Sequence, residues 1–363
     1  MRIAVDGYEI TSGATGAGRV IDNLLSELID LLPEHQFTVF MRQHLKRYDR
    51  VRLRQYIVPG EFGYFRWQNG PLRKGLNEVR PDIFIASNYT LPVFCPWRSF
   101  LIVHDISIIT HPEWYPRKVA FGRNILLRRS LKKASRVVVP SEFTKNEIVR
   151  VLRLPVGKVQ VITLGIEEKF RRPAGEEIEK WKVRKGLEGK KIIGFLGSIF
   201  NRRNVPALVG AVEKLRGEMP DLALYIIGRD MTYPPLQMAR MLEKDWIRWE
   251  KSIPDPDIPL FYSSLDVFAY LSEYEGFGLP PLEALACGTV PVVRETSSLR
   301  EIFQGAALMV NSAEPGEIGK VLKTALIDLP TRESFLARFA LERAKFSWDR
   351  AARELASLIK DNA

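Results

Sequence analysis

The chain has 363 residues, of which 46% are hydrophobic and 27% are charged, and its formal net charge is +11. Its length predicts two domains, and its apolar content excludes a disordered protein. No apolar run reaches the roughly 18 residues that a membrane-spanning helix needs. The first residues do not form a signal peptide, so we expect a cytoplasmic protein.

Strands and helices alternate over residues 1–170, which is typical of an α/β domain with a parallel sheet. The sequence predicts strands at Ile3–Asp6, Phe37–Phe40, Gln55–Val58, Asp82–Ala86, Phe100–Val103, Arg136–Val139 and Val159–Ile162. It predicts helices at Val20–Leu31, Arg117–Lys133 and Glu142–Leu152. Ser141 is a suitable N-cap for the last of these helices. The charged stretch that ends at Gly175 is the predicted domain boundary.

The alternation starts again after this boundary, and residues 176–347 form the second predicted domain. The sequence predicts strands at Lys191–Leu196, Leu222–Ile227, Ile247–Ile253, Val267–Leu271, Val290–Val293 and Leu308–Val310. It predicts helices at Val205–Gly217, Pro235–Lys244 and Pro259–Ser263, and a last helix near Trp348–Lys360. Open α/β sheets bind ligands beyond the carboxyl ends of their strands, so the loops at those ends are the candidate sites.

One such loop begins at Glu275, and a predicted helix carrying Glu283 follows it. The helix opens through Pro280 and Pro281, which are tolerated there because the first helical amides have no intrahelical partner. The free amides of a helix N-terminus favour an anion, and glycine lets a ligand approach the backbone closely. Carboxylates beside an anion site suit a ligand that carries both phosphate and hydroxyl groups. The pattern indicates a nucleotide-sugar site formed by Glu275, Gly276, Phe277, Gly278, Leu279 and Glu283.

The run from Glu275 to Val293 resembles the E-x7-E signature of the family 4 retaining glycosyltransferases. The resemblance implies that Glu275 binds the hydroxyls of the transferred sugar and that Glu283 binds the ribose. It also implies the GT-B fold, in which two Rossmann-like domains with parallel sheets face each other across a cleft. The donor would bind the second domain, and residues 1–170 would bind the acceptor together with a C-terminal helix, about residues 348–363, that crosses back to the first domain.

A second loop follows the first strand of the second predicted domain. It contains Gly197, Ser198, Arg202 and Arg203, and it resembles the family's glycine loop with a basic pair. In the family these cations hold the donor diphosphate. Arginine binds phosphate through a planar fork of donors. Arg203 stands where the family usually has lysine, and Ser198 stands where many members have arginine.

Two motifs of the first predicted domain complete the candidate site. Gly16, Gly18 and Arg19 lie between strand and helix, and the resemblance assigns this loop to the acceptor and phosphate side. Neither a third glycine nor an acidic residue follows at dinucleotide-binding spacing, which disfavours NAD or FAD. His104 ends a predicted strand and resembles the family histidine that reaches the donor sugar. Each motif also has a structural alternative: the glycines could form only a tight turn between strand and helix, and His104 could be a local hydrogen-bonding cap.

No cofactor or metal is expected. Cys95, Cys287 and the four histidines show no metal-ligand spacing. The sequence Asp255–Asp257 spells D-x-D, the metal-binding pattern of another glycosyltransferase fold, but its prolines favour a turn.

Positive charge is concentrated in the first predicted domain, where residues 1–170 contain 26 Lys and Arg against 16 Asp and Glu. The predicted helix Arg117–Lys133 interleaves basic and apolar residues, which is compatible with contact to an anionic membrane. A helix that packs its apolar face inward and solvates its charges is the alternative. A nucleic-acid-binding protein would also explain the charge, but no binding motif supports it and it leaves the Glu275 loop unexplained.

These motifs predict a metal-independent glycosyltransferase that transfers a sugar from a nucleotide diphosphate to a glycan or lipid-linked acceptor, and the family resemblance implies that it is a retaining enzyme. The segment Ile109–Trp114 resembles bacterial mannosyltransferases of cell-surface polysaccharide assembly, which implies GDP-mannose as the donor. A nucleotide-sugar epimerase or a synthase of the same fold is the alternative. We expect the protein in the cytoplasm, with peripheral contact to the inner face of the membrane.

Overall fold

A computed structural model describes residues 1–11 and 16–362. Packing divides the chain into two compact units. The first unit consists of Met1–Pro112, Arg117–Gly165 and Lys345–Ala363, and the second of Glu113–Pro116 and Ile166–Ala344. The main division after Gly165 lies a few residues before the predicted boundary.

The first unit contains a parallel sheet of seven strands in the order β3-β2-β1-β4-β5-β6-β7. The strands are β1 (Arg2–Asp6), β2 (Gln36–Met41), β3 (Leu53–Ile57), β4 (Ile83–Ala86), β5 (Arg98–Ile102), β6 (Arg136–Val139) and β7 (Val159–Val161). The central strands β1, β4 and β5 are apolar and buried, as expected for a sheet that helices cover on both faces. The seven predicted strands of this half are therefore confirmed, with ends that shift by one or two residues.

The helices of the first unit connect these strands and include the C-terminal helix. They are α1 (Ala17–Leu31), α2 (Tyr64–Trp67), α3 (Arg73–Val79), α4 (Ser107–Thr110), α5 (Arg117–Lys133), α6 (Glu142–Leu152) and α15 (Trp348–Lys360). The Ser141 side chain caps α6 by accepting a hydrogen bond from the Thr144 amide, as predicted. Helix α15 packs against α1, so the predicted return of the last helix to the first unit is confirmed.

The second unit contains a parallel sheet of six strands in the order β10-β9-β8-β11-β12-β13. The strands are β8 (Lys191–Leu196), β9 (Leu222–Ile227), β10 (Ile247–Glu250), β11 (Val267–Tyr270), β12 (Pro291–Arg294) and β13 (Leu308–Val310). This order is that of a Rossmann fold, in which the chain reverses its direction of winding beside the first strand. The predicted fold class, two Rossmann-like α/β domains with parallel sheets, is confirmed.

Eight helices lie among the described residues of the second unit. They are α7 (Gly175–Lys185), α8 (Val205–Arg216), α9 (Met238–Leu242), α10 (Ile258–Ser264), α11 (Leu279–Ala286), α12 (Ser297–Phe303), α13 (Pro315–Ile327) and α14 (Leu329–Glu342). In the described part of the chain, no helix is both long enough and apolar enough to cross a membrane.

Two predicted elements of the second unit are shorter than expected. Strand β10 ends at Glu250 rather than at Ile253, because its partner β9 ends at Ile227 and offers no further ladder positions. Helix α9 begins at Met238 rather than at Pro235, because Gln237 has a left-handed backbone with φ of 51°.

Candidate functional site

The strand order places two loops at the point where the second sheet changes its direction of winding. Strands β8 and β11 are parallel neighbours, so the loops that follow Leu196 and Tyr270 leave the same edge of the sheet side by side. Ligands of open α/β sheets bind in the crevice at such a point. We call residues Gly197–Asn204 the basic loop and residues Leu271–Gly278 the acidic loop.

The backbones of the two loops are joined by hydrogen bonds. The Glu273 amide donates to the Arg202 carbonyl over 2.8 Å. The Asn204 side-chain amide donates to the Leu271 carbonyl over 3.0 Å and to the Glu273 carboxylate over 3.1 Å. The two loops are thus held in a fixed register, which positions the side chains that they carry.

Arg203 and Glu275 form the centre of this site. Nε of Arg203 donates to Oε1 of Glu275 over 3.2 Å, and each side chain is only 13% exposed. A second nitrogen of Arg203, Nη1, donates to the Ser198 carbonyl over 2.8 Å. Arg203 of the basic loop and Glu275, the first glutamate of the signature, were both predicted as site residues, and they are in contact within the second unit.

Three donors converge on one oxygen of Glu275. Besides Arg203, the Tyr270 hydroxyl and the Ser272 hydroxyl each donate to Oε1 over 2.9 Å. Within the described part of the chain, no group donates to Oε2, which leaves that oxygen able to accept hydrogen bonds from a ligand. The hydrogen bonds to Oε1 thus fix the orientation of the carboxylate, and Oε2 remains available to a ligand.

Glu275 is held in its ionised form. Burial raises its pKa, but the positive charges of Arg203 and Arg202, together with the hydroxyls of Ser272 and Tyr270, outweigh burial and bring the pKa below its ordinary value. A carboxylate of this kind accepts hydrogen bonds and does not donate a proton at neutral pH. It suits the recognition of hydroxyl groups rather than general acid catalysis.

The backbone of Glu275 is also fixed, by the start of α12. The Glu275 amide donates to the Ser297 hydroxyl over 3.1 Å, and the Ser298 hydroxyl donates to the Glu275 carbonyl over 2.8 Å. Ser297 has a left-handed backbone with φ of 51°, an unusual conformation for serine. Strain of this kind is often retained at functional sites.

Gly197 leaves the space that Arg203 occupies. A Cβ atom at this position would lie 2.4 Å from Nη1 of Arg203, and its φ of 141° also disfavours other residues. The predicted glycine of the basic loop is thus explained by the close approach of the guanidinium group. Ser198 is exposed and contributes its carbonyl rather than its side chain to this arrangement.

Helix α11 begins at the end of the acidic loop. Gly278 is its N-cap with φ of 103°, and Leu279 is its first residue, followed by two prolines. Gly276 and Phe277 are buried between Glu275 and this N-cap. The helix N-terminus therefore lies beside Glu275, where its unpaired amides and the dipole favour an anion.

Glu283 lies on α11, within the second turn of the helix. It is only 2% exposed, and its Oε2 accepts a hydrogen bond from the Tyr262 hydroxyl over 2.8 Å. A carboxylate this deeply buried requires such partners. The structure thus places the second signature glutamate on the signature helix and gives it a tyrosine partner that the sequence did not reveal.

The remaining predicted site residues belong to the first unit. Gly16 is the N-cap of α1 with φ of 53°, while Gly18 and Arg19 lie in the first turn of that helix. Gly13, Ala14 and Thr15, which precede Gly16 in the sequence, lie outside the described residues. Residues 7–11 follow β1, so they leave the same edge of the first sheet as the segment after β5.

His104 lies in that segment after β5. Its Nε2 atom is buried and has no hydrogen-bond partner among the described residues. Burial lowers the pKa of His104 despite the neighbouring Asp105 and a hydrogen bond with the Ser87 backbone, so the imidazole is neutral at pH 7. A buried polar atom without a partner suits a residue that receives its partner from a ligand.

The sequence did not reveal several residues of this site. Tyr270, Ser272, Ser297 and Ser298 hold Glu275, but they are single polar residues without a diagnostic spacing. For Ser272, its position three residues before Glu275 in the sequence was a signal that could have identified it. In the described part of the chain, no cluster of histidine, cysteine and carboxylate side chains could hold a metal ion, and the Asp255–Asp257 segment forms a helical turn.

Two glycosyltransferase family models match the chain. The model of the family described as "Glycosyl transferases group 1" matches residues 177–338, and the model of "Glycosyltransferase Family 4" matches residues 14–170. The two matches together include both candidate loops, the start of α1 with Arg19, and His104.

Among curated sequences, the chain is similar to O-antigen chain mannosyltransferase B of Escherichia coli. The two are 28% identical over 78% of this chain and 76% of that protein. The chain is also 26% identical to the serotype-specific mannosyltransferase WbdA of Escherichia coli, over 96% of this chain and 46% of WbdA. The chain therefore spans about half of the longer relative.

Solved structures share the fold at low sequence identity. Anabaena Alr3699/HepE in complex with UDP-glucose has a TM-score of 0.76 and 15% identity over 99% of this chain and all of that chain. WaaG, a glycosyltransferase involved in lipopolysaccharide biosynthesis, has a TM-score of 0.75 and 15% identity over 98% of this chain and 99% of that chain.

Proposed function

We propose a specific reaction for this chain, which belongs to glycosyltransferase family 4 and is a glycosyltransferase of the GT-B fold. The reaction is transfer of mannose from GDP-mannose to a hydroxyl group of a glycan or lipid-linked acceptor in cell-surface polysaccharide biosynthesis. The similarity to two Escherichia coli mannosyltransferases supports mannose as the sugar. The observation that carries the donor site is the contact of Arg203 with Glu275 at the switch point of the second sheet.

The difficult step of such a reaction is the departure of the nucleoside diphosphate, because negative charge develops on its outer phosphate. Arg202, Arg203 and the N-terminus of α11 supply fixed positive charge and oriented amides to stabilise that charge. Such stabilisation needs no metal ion, and we propose that the enzyme is metal-independent. The arginines lie on the basic loop, beside the helix N-terminus.

Glu275 binds the hydroxyls of the transferred sugar through Oε2, the oxygen that its neighbours leave available. Its Oε1 accepts three hydrogen bonds, which lower the nucleophilicity of the carboxylate and fix its orientation, so that Oε2 can accept hydrogen bonds from the sugar. This supports retention by attack on the same face of the sugar, with the donor phosphate as the base. Glu283 binds the ribose, and the buried Nε2 atom of His104 supports its predicted role in binding a ligand.

Helix α5 supports a peripheral contact with an anionic membrane. Phe121 and Ile125 on α5 are 72% and 50% exposed, and Phe94, which contacts the last residue of α5, is 56% exposed. The ring of Phe94 lies 5.5 Å from the Arg73 guanidinium and 5.8 Å from the Lys133 ammonium. Exposed aromatic and aliphatic groups among cations are typical of surfaces that bind anionic lipid, and a lipid-linked acceptor is found at such a surface.

Calorimetric titration with GDP, UDP, ADP and dTDP tests the donor assignment. We expect GDP to bind most tightly, and GDP-mannose then to give an α-linked product with a lipid-linked glycan acceptor. Tighter binding of another nucleotide would reject the guanine assignment. Conversion of GDP-mannose to a new sugar nucleotide in the absence of acceptor would instead identify an epimerase.

A further inference from the structure

Arg202, the second cation of the basic loop, contacts two aromatic rings. Its guanidinium carbon lies 4.7 Å from the ring centre of Phe200 and 5.8 Å from that of Trp114. Arg203 also lies over the rings of Phe200 and Tyr270, and hydrogen bonds to Glu275 and to the Ser198 carbonyl fix its side chain as well. Aromatic rings thus contact both cations of the loop, and Trp114 contacts Arg202.

Trp114 reaches the basic loop from a distant part of the sequence. It lies in Glu113–Pro116, a short segment that packs with the second unit although its neighbours in sequence belong to the first. Its ring also meets the ring of Tyr274 edge to face, at 6.2 Å between centres and 69° between planes. Tyr274 directly precedes Glu275, so Trp114 contacts both the basic loop and the acidic loop.

We propose that Trp114 is a positioning residue of the donor site, which holds the Arg202 guanidinium where the donor diphosphate binds. This inference rests on the proposed function and extends it to a residue outside the two loops. Trp114 acts through Arg202 and is not itself a catalytic residue.

The physical argument begins with the mobility of arginine. A free arginine side chain has many rotamers, and ordering it at the moment of binding reduces affinity. The face of an indole ring attracts a guanidinium group more strongly than other aromatic rings do. A guanidinium held over a ring keeps N–H donors that can bind phosphate. The contact therefore orders Arg202 before the donor arrives without competing with it.

The test compares variants of Trp114 by calorimetric titration with whichever of GDP, UDP, ADP and dTDP binds the wild type most tightly. Trp114→Leu fills the space without an aromatic face, and we expect it to weaken binding by about threefold to tenfold. Trp114→Phe restores an aromatic face and is expected to restore most of the affinity. Trp246→Ala is the matched control, because Trp246 lies 5.5 Å from the Arg216 guanidinium in the same unit and outside the site.

A double-mutant cycle separates positioning from a general effect on folding. In the background of Arg202→Ala, Trp114→Leu should have no further effect on affinity, since the group that it positions is gone. Equal losses in both backgrounds, or wild-type affinity of Trp114→Leu, would overturn the inference while leaving the proposed function intact. A wild type that binds none of the four nucleotides would overturn both.

Discussion

Nε of Arg203 and Oε1 of Glu275 are 3.2 Å apart, and the two side chains are equally buried. An ion pair at this depth is costly to desolvate, and it is retained where additional hydrogen bonds satisfy both partners. Here the Tyr270 and Ser272 hydroxyls donate hydrogen bonds to the Glu275 carboxylate, and the Ser198 carbonyl accepts one from the Arg203 guanidinium. The pair links the group proposed to bind phosphate to the group proposed to bind the transferred sugar.

Replacement of Glu275 separates binding from turnover. Glu275→Gln keeps the size of the side chain but loses the charge and one acceptor for the sugar hydroxyls. We expect transfer from GDP-mannose to fall by about a hundredfold or more, the scale on which loss of one preorganised transition-state contact acts. Affinity for GDP should change little, because GDP lacks the transferred mannose that Glu275 is proposed to bind. Glu188→Gln, which removes an exposed carboxylate of the same unit outside the two loops, is the control. Wild-type turnover of Glu275→Gln would reject its role.

Replacement of Arg203 should act on nucleotide binding first. Loss of a charged hydrogen bond typically costs about 1.5–3 kcal/mol, so Arg203→Ala is expected to weaken nucleoside diphosphate affinity by that amount. Arg203→Lys keeps the charge but not the planar fork and should give a smaller loss. Calorimetric titration provides the measurement, with the exposed Arg240→Ala of α9 as the control. If Arg203→Ala bound nucleotide like the wild type, Arg203 would have no part in the site.

The sequence predicted the fold and the two loops because their signals are local. Apolar strands followed by helices predict a parallel sheet, and Gly197, Glu275 and the prolines of α11 lie in short characteristic runs. The positions of Trp114 and Phe200 could not be predicted, because a single aromatic residue in a sequence does not indicate whether it packs in a core or against a guanidinium group. Helix α7 was missed because its residues Gly175–Lys185 bury little besides Ile178 and Trp181, and the charged remainder resembles a linker.

The tertiary contacts that fix Glu275 could not be predicted for a different reason. Ser297 and Ser298 are 22 and 23 residues away in sequence, and they meet Glu275 only because β12 returns α12 to the same edge of the sheet. Such contacts depend on strand order, which a single sequence does not specify. The placement of His104 beside Ser87 depends likewise on the pairing of β4 with β5.

The exposed apolar side chains of α5, Phe121 and Ile125, predict binding of this helix to anionic lipid. The double variant Phe121→Ser/Ile125→Ser removes the two most exposed apolar side chains of α5 and keeps every positive charge. In sedimentation with vesicles of phosphatidylglycerol and phosphatidylcholine, we expect the wild type to bind and the double variant to bind several-fold less. Binding of the wild type should fall as salt is raised, because the cations contribute.

The matched control for this experiment lies in the second unit. Leu341 of α14 is 87% exposed, and Leu341→Ser removes apolar surface outside α5. It should leave vesicle binding and the transfer of mannose to a soluble acceptor unchanged. Equal vesicle binding by the wild type and the double variant would show that water solvates the charged side chains of α5 and that the helix does not contact a membrane.

Asp6 makes the stability of the first unit depend on pH. It is fully buried at the end of β1, where Tyr64 and Trp67 donate hydrogen bonds to its carboxylate over 2.8 and 3.2 Å. Burial outweighs these hydrogen bonds and raises the pKa of Asp6 from 3.8 to about 6. The native state therefore binds this proton more readily than the unfolded chain, so the contribution of Asp6 to stability falls as pH rises from about 4 through 6.

Thermal unfolding of the wild type and of Asp6→Asn at pH 5, 6 and 7 measures this contribution. The variant cannot titrate, so the stability of the wild type relative to Asp6→Asn should fall by about 1 kcal/mol between pH 5 and pH 7. Glu61→Gln, which removes an exposed carboxylate of the same unit, should show no such trend. A difference between wild type and Asp6→Asn that stays constant with pH would mean that Asp6 titrates alike in the folded and unfolded chain. The carboxylate would then be as well solvated by its tyrosine and tryptophan donors as by water.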